Sequence, residues 1–135
     1  MLDTAQLTAQ LQLYQRVLVL CPRRSGQTTF LANYINQQSV NTVYLGLTGD
    51  QCREFAQQLT RPVPCRTGRR RPPDHIRQVP LLVVDEALFH NDRTLFTYFH
   101  GQRIVALSSY SPDPDDYALR QFAAAGFVII HAPTL

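Results

Sequence analysis

The stretch Arg16-Val-Leu-Val-Leu-Cys-Pro-Arg-Arg-Ser-Gly-Gln-Thr-Thr-Phe30 decides how this chain folds. Val17 to Leu20 is a short unbroken apolar run with β-branched members, the pattern of a strand buried on both faces. Pro22 to Gly26 breaks the run. From Thr28 to Gln37 the apolar residues Phe30, Leu31 and Tyr34 then fall at helical spacing. A buried strand, a glycine-containing turn and a helix together form the opening unit of a parallel α/β sheet.

The same alternation extends in both directions. Upstream, Asp3 to about Gln15 predicts a helix, with Asp3 or Thr4 as its cap and Leu7, Leu11 and Tyr14 on one face. Downstream, Thr42 to Leu47 predicts a strand and Asp50 to Leu59 a helix capped by Thr48 or Asp50. Leu81 to Val84 is a third buried strand. A helix from Asn91 or Asp92 to Phe99 follows, closed by Gly101. Arg103 to Ser108 is a fourth strand, Asp115 to Ala125 a helix stopped by Gly126, and Phe127 to His131 a fifth strand. The expectation is an α/β/α sandwich of three layers around a five-stranded parallel sheet, with residues 1–135 as one domain. Between 61 and 80 lies a basic Pro/Arg-rich loop holding five of the nine prolines, so regular structure is not expected there.

Composition narrows the classes. The 135 residues are 44% hydrophobic and 17% charged, which describes a globular chain and excludes a disordered or fibrous one. No apolar run approaches the ~18 residues of a membrane span, and Met1 to Tyr14 lacks the basic start and apolar stretch of a signal peptide. An intracellular location without a membrane follows as the expectation. Cys21, Cys52 and Cys65 fit no disulfide or zinc framework, and the four histidines are scattered. All 13 basic residues are arginine; the chain has no lysine.

Three short segments carry chemistry. Between the first strand and its helix, Cys21-Pro-Arg-Arg-Ser-Gly-Gln-Thr-Thr29 can be laid on the phosphate-cradling pattern G-x-x-x-x-G-K-[ST]. Cys21 then takes the first glycine position, Gly26 the second, Gln27 the lysine position and Thr28 the position of the Mg²⁺-binding hydroxyl. Backbone N–H groups from Ser25 to Thr29 would form an anion site at the helix start whatever their side chains. At the end of the third strand, Asp85 is placed to hold Mg²⁺ and Glu86 to act as general base or to orient water. At the end of the fourth, the pair Ser108-Ser109 offers a hydroxyl to sense a terminal phosphate or hold the attacking water, with Ser108 as the candidate sensor.

In order and spacing these segments resemble the ATPase core of the P-loop class that uses a catalytic glutamate, which includes helicases and viral DNA-packaging motors. The nearest likeness is to large terminase ATPase domains of tailed phages and herpes-like viruses. It rests on Pro22-Arg-Arg-Ser-Gly-Gln-Thr28, on Asp85-Glu-Ala-Leu-Phe89 and on Ser108-Ser-Tyr-Ser-Pro112, and covers roughly residues 15–131. The resemblance implies a strand order of 5-1-4-3-2, ATP and Mg²⁺ as ligands, DNA as the partner, and an oligomer or larger assembly in the cytoplasm, or in a host nucleus if the protein is viral. Gln27 departs from it, because an amide brings no charge to the phosphates; Arg23 or Arg24 would have to supply that charge. The alternative is a degenerate P-loop fold retained as a nucleic-acid or protein binding module. Arg66, Arg69, Arg70 and Arg71, within the basic stretch 61–77, are the candidate nucleic-acid contacts. Phe96, Tyr98 and Phe99 read as core or interface, and Gln10 and Gln15 as weak matches to an adenine-reading glutamine.

Overall fold

The computed structural model describes residues 1–110 and 116–135. Ser111, Pro112 and Asp115, which entered the sequence reading, lie outside the described residues. In chain order the elements are α1 (Thr4–Leu11), β1 (Arg16–Cys21), α2 (Gln27–Asn36), β2 (Thr42–Gly46), α3 (Gly49–Ala56), β3 (Cys65–Thr67), α4 (Asp74–Arg77), β4 (Leu81–Val84), α5 (Asp92–Leu95), β5 (Arg103–Ser109), α6 (Tyr117–Ala124) and β6 (Val128–His131).

All six strands join one parallel sheet in the order β3-β2-β4-β5-β1-β6. The sheet therefore has six strands, not the expected five, and its order differs from 5-1-4-3-2. The cause is β3, an edge strand inside the proline-rich stretch expected to be irregular. Tyr44 N donates to Pro64 O at 2.9 Å, and Cys65 to Thr67 then run beside Tyr44 to Gly46. Proline is tolerated there because an edge strand has one side without ladder partners. The same stretch also holds α4, which starts directly after Pro73, where the missing N–H and the fixed φ of proline cost nothing.

Side chains alternate across the strands and build two cores. On one face Val17, Val19, Tyr44, Leu81, Val83, Val105 and Leu107 meet Leu7 and Leu11 of α1, Phe30, Leu31 and Ile35 of α2, and Phe55 of α3. On the other, Leu18, Leu20, Val43, Leu82, Val84, Ile104 and Ala106 meet Ile76 of α4, Leu95 of α5 and Phe122 of α6. Burial on both faces is why these strands read as unbroken apolar runs. Phe96 and Phe99 pack on Phe122, at ring centroid distances of 5.2 and 6.2 Å, as core residues.

Local chemistry sets the helix ends. Asp3 and Thr48 accept from the backbone N–H three residues on, capping α1 and α3. Asp116 caps α6 and Asn91 Oδ1 accepts from Thr94 N at 3.3 Å. The helix expected from 91 to 99 is instead one turn of α5 followed by a 3₁₀ turn over Phe96–Tyr98. No helix among the described residues is long and apolar enough to cross a membrane.

Candidate functional site

Because β5 lies between β4 and β1, the parallel strands deliver the chain segments after Cys21, Val84 and Ser109 to one end of the sheet. Ligands of open α/β sheets bind at this carboxyl end. The turn after β1 is tight: Arg24 and Gly26 both take left-handed conformations, at φ 55° and 90°. Gly26 suits this, having no Cβ, whereas Arg24 holds it against its preference. Gly26 is also the cap residue of α2 and supplies no side chain to the first N–H groups, so they remain available to an anion.

The turn lines a cleft of about 260 Å³ with Arg24, Ser25, Gly26, Gln27, Thr28 and Thr29 on one side and Glu86 and Ser109 on the other. This is below the roughly 300–1,000 Å³ of pockets that enclose whole small molecules, and suits a phosphate tail better than a complete nucleotide. Arg23 is exposed and is not part of the lining. Gln10 and Gln15 are also elsewhere; Gln15 Nε2 donates to Gly101 O at 3.2 Å.

Gln27 is the hub of the site. Its Nε2 donates to Asp85 Oδ1 at 2.6 Å and to Glu86 Oε1 at 2.7 Å, so one amide joins both carboxylates. Asp85 is fully buried and its Oδ2 accepts from the Tyr44 hydroxyl at 2.8 Å, from Thr28 Oγ1 at 3.2 Å and from Gln51 Nε2 at 3.4 Å. Glu86, held at a left-handed φ of 51°, also accepts from Ser109 Oγ at 2.8 Å and Ser109 N at 3.3 Å. Every one of these donors is neutral. Among the described residues no arginine makes an ion pair with either carboxylate; Arg53 pairs with Asp50 on the exposed face of α3.

The buried negative charge shows in its neighbours. Burial, then the charges of Glu86 and Asp85, push the Cys21 thiol up to about 12. Burial and the Asp85 carboxylate raise the Tyr44 hydroxyl well above its usual range, so it stays a donor. Burial holds His90 below its ordinary value, and its Nε2 lies 2.9 Å from the Asp85 carbonyl oxygen. A carbonyl can only accept, so His90 carries its proton on Nε2.

The sequence-derived residues thus divide. Ser25, Gly26, Gln27, Thr28, Thr29, Arg24, Glu86 and Asp85 converge. Ser108 points away from the cleft, because successive strand residues face opposite sides; its fully buried Oγ accepts from Leu88 N at 3.2 Å. Ser109 takes the position beside Glu86. Ser109 belongs to the Ser108-Ser109 pair read from sequence, whereas Tyr44, Gln51 and His90 have no sequence motif to mark them; a tyrosine inside the apolar run of β2 is the one visible signal. Arg66 is half-buried with its guanidinium 5.9 Å from the Tyr98 ring centre, whereas Arg69, Arg70 and Arg71 are exposed.

Two further polar atoms are buried without partners, Ser25 Oγ and Gln27 Oε1. Orphaned acceptors beside two carboxylates and a threonine hydroxyl make a set of hard oxygen donors, which fits Mg²⁺. It does not by itself fit the phosphate charge, for which the chain offers Arg24 at the cleft wall. No protein-family model matches the chain, and no curated protein matches it.

Proposed function

We propose that the protein is a P-loop-type ATP-binding domain acting on DNA, of the motor kind found in DNA-packaging terminases and helicases. The observation that supports this most is the meeting of the loop after β1 with the carboxylates after β4. Gln27 and Thr28 at the start of α2 hydrogen-bond directly to Asp85 and Glu86. A helix N-terminus is an anion site, and two carboxylates facing it require an intervening cation before a phosphate can approach.

In this reading Thr28 and Asp85 hold Mg²⁺, and the backbone of Ser25 to Thr29 cradles the phosphates. Bound there, Mg-ATP would supply the transferable γ-phosphoryl group and the metal charge that neutralises it. Arg24 stands in for the lysine with a guanidinium suited to phosphate oxygens. Glu86 orients or deprotonates the attacking water, and Ser109, with Ser108 behind it, reports on the terminal phosphate. The three-layer P-loop arrangement and assembly into an oligomer belong to the same reading.

A second reading has its own support. Gln27 already satisfies both carboxylates, and Cys21 stands where the pattern has glycine. A fold stabilised in that way serves as a binding or assembly module without turnover. Steady-state phosphate release separates the two. The first predicts slow Mg²⁺-dependent turnover that Glu86→Gln lowers by roughly 10²–10⁴-fold, the usual worth of a positioned acid–base group. Equal rates in wild type and Glu86→Gln, at background, reject hydrolysis and leave the binding module.

A further inference from the structure

A second cleft of about 330 Å³ opens beside the first, where the exits of β2 and β3 meet the turn after β4. Thr48, Gly68, Arg69, Phe89, His90 and Asn91 line it. Phe89 is 56% exposed, a large aromatic ring left facing solvent at the rim. Arg69, Arg70 and Arg71 follow one another, all exposed, directly after the lining Gly68. The segment 61–80 carries six arginines against a single acid, Asp74.

This arginine run has a fixed seat. The Tyr98 hydroxyl donates to Arg70 O at 2.7 Å, tying the loop to the core. A side chain at Gly68 would meet His90 Nδ1 at 3.0 Å, so glycine lets the loop lie against that ring. His90, which lines this second cleft, in turn contacts the Asp85 carbonyl at 2.9 Å and so ties the groove to the turn after β4.

We propose that this groove binds single-stranded nucleic acid, with an unpaired base stacked on Phe89 and neighbouring phosphates paired with Arg69, Arg70 and Arg71. An exposed ring can stack only on a base whose face is free, which a duplex does not offer. Arginines flanking an aromatic platform are the combination by which single strands are held without sequence preference. The groove adds a named subsite to the DNA-directed part of the proposed function. Its test omits nucleotide, so failure of the groove and failure of the ATP cleft are distinguishable.

The experiment is fluorescence anisotropy with a labelled oligo-thymidine at low salt, repeated over a salt series and against a duplex of equal length. The wild type should bind the single strand more tightly than the duplex. Phe89→Ala should weaken binding by roughly 5- to 140-fold, the worth of one stacked base, without altering the salt slope. Phe89→Tyr should restore it. Changing Arg69, Arg70 and Arg71 together to Gln should flatten the log–log salt slope by about 2, at ~0.7 per phosphate contact. Unchanged binding in Phe89→Ala, with native circular dichroism, overturns the proposal. So does equal affinity for duplex, absence of binding by the wild type, or equal competition by polyglutamate, which would mark an acidic protein surface as the occupant.

Discussion

The acids after β4, Asp85 buried and Glu86 at the cleft, and the arginine run after β3 are neighbours at one end of the sheet, yet they are solved in opposite ways. Asp85 is enclosed and surrounded by amides and hydroxyls. Arg69, Arg70 and Arg71 face solvent with their charges free for a partner. An ion pair between the two regions would have satisfied both. Its absence among the described residues leaves a negative cleft completed with neutral donors and a positive rim held in reserve. A carboxylate buried without a cation costs several kcal/mol unless hydrogen bonds replace the water it lost, and the donors around Asp85 serve that end. Some other arginines serve the fold itself. Arg61 donates to Ile35 O at 3.0 Å and Arg103 to the Tyr14 and Leu11 carbonyls, closing loop and helix ends.

This contrast can be broken from either side. The largest effect should come from alkali. Burial, then the Glu86 and Asp85 charges, push the Cys21 thiol from its ordinary 9.0 up to about 12 in the fold. A folded pKa raised in this way contributes stability that is complete below pH 9 and lost as pH climbs through 12. The loss is on the order of 4 kcal/mol. Urea titrations across that window should show it, and Cys21→Ala should remove this part of the decline; an identical decline in the variant would refute the thiol's role. Tyr44→Phe comes next. It keeps the ring, stacked on Phe55 at 3.6 Å, and deletes only the donor to Asp85, which should cost ~1.5–3 kcal/mol for a hydrogen bond to a charged group. A loss under about 0.5 kcal/mol would mean that this hydrogen bond contributes little to the fold. Smallest is the triple change of Arg69, Arg70 and Arg71 to Gln, expected to leave stability within about 0.5 kcal/mol per site as exposed substitutions do. A large loss there would place those side chains in the fold's own packing.

How much of this was legible in the sequence depended on range. Val17 to Leu20 and Leu81 to Val84 announced themselves because a strand buried on both faces has no polar positions to dilute the run. Asp85 and Glu86 are legible because they directly follow such a run, and Gln27 and Thr28 because they fall on the phosphate-cradling pattern that begins where the first run ends. β3 was hidden: Cys65-Arg66-Thr67 is polar, three residues long and fenced by Pro62, Pro64, Pro72 and Pro73, and its pairing to β2 is set by tertiary position alone. Tyr44 and Gln51 reach Asp85 from 41 and 34 residues away, a distance over which no local pattern speaks. The exchange of Ser108 for Ser109 turned on one residue of strand register, which sends the side chain to the opposite face.

The central claim is that the cleft between Gln27 and Glu86 takes a nucleotide phosphate although the chain has no lysine, with Arg24 supplying the charge. Isothermal titration of Mg-ATP into the wild type and Arg24→Ala tests it most directly. The account predicts saturable wild-type binding that Arg24→Ala weakens by roughly tenfold or more, the loss of one charge-assisted contact. Absence of heat at millimolar nucleotide, or equal affinity in both proteins, would contradict it.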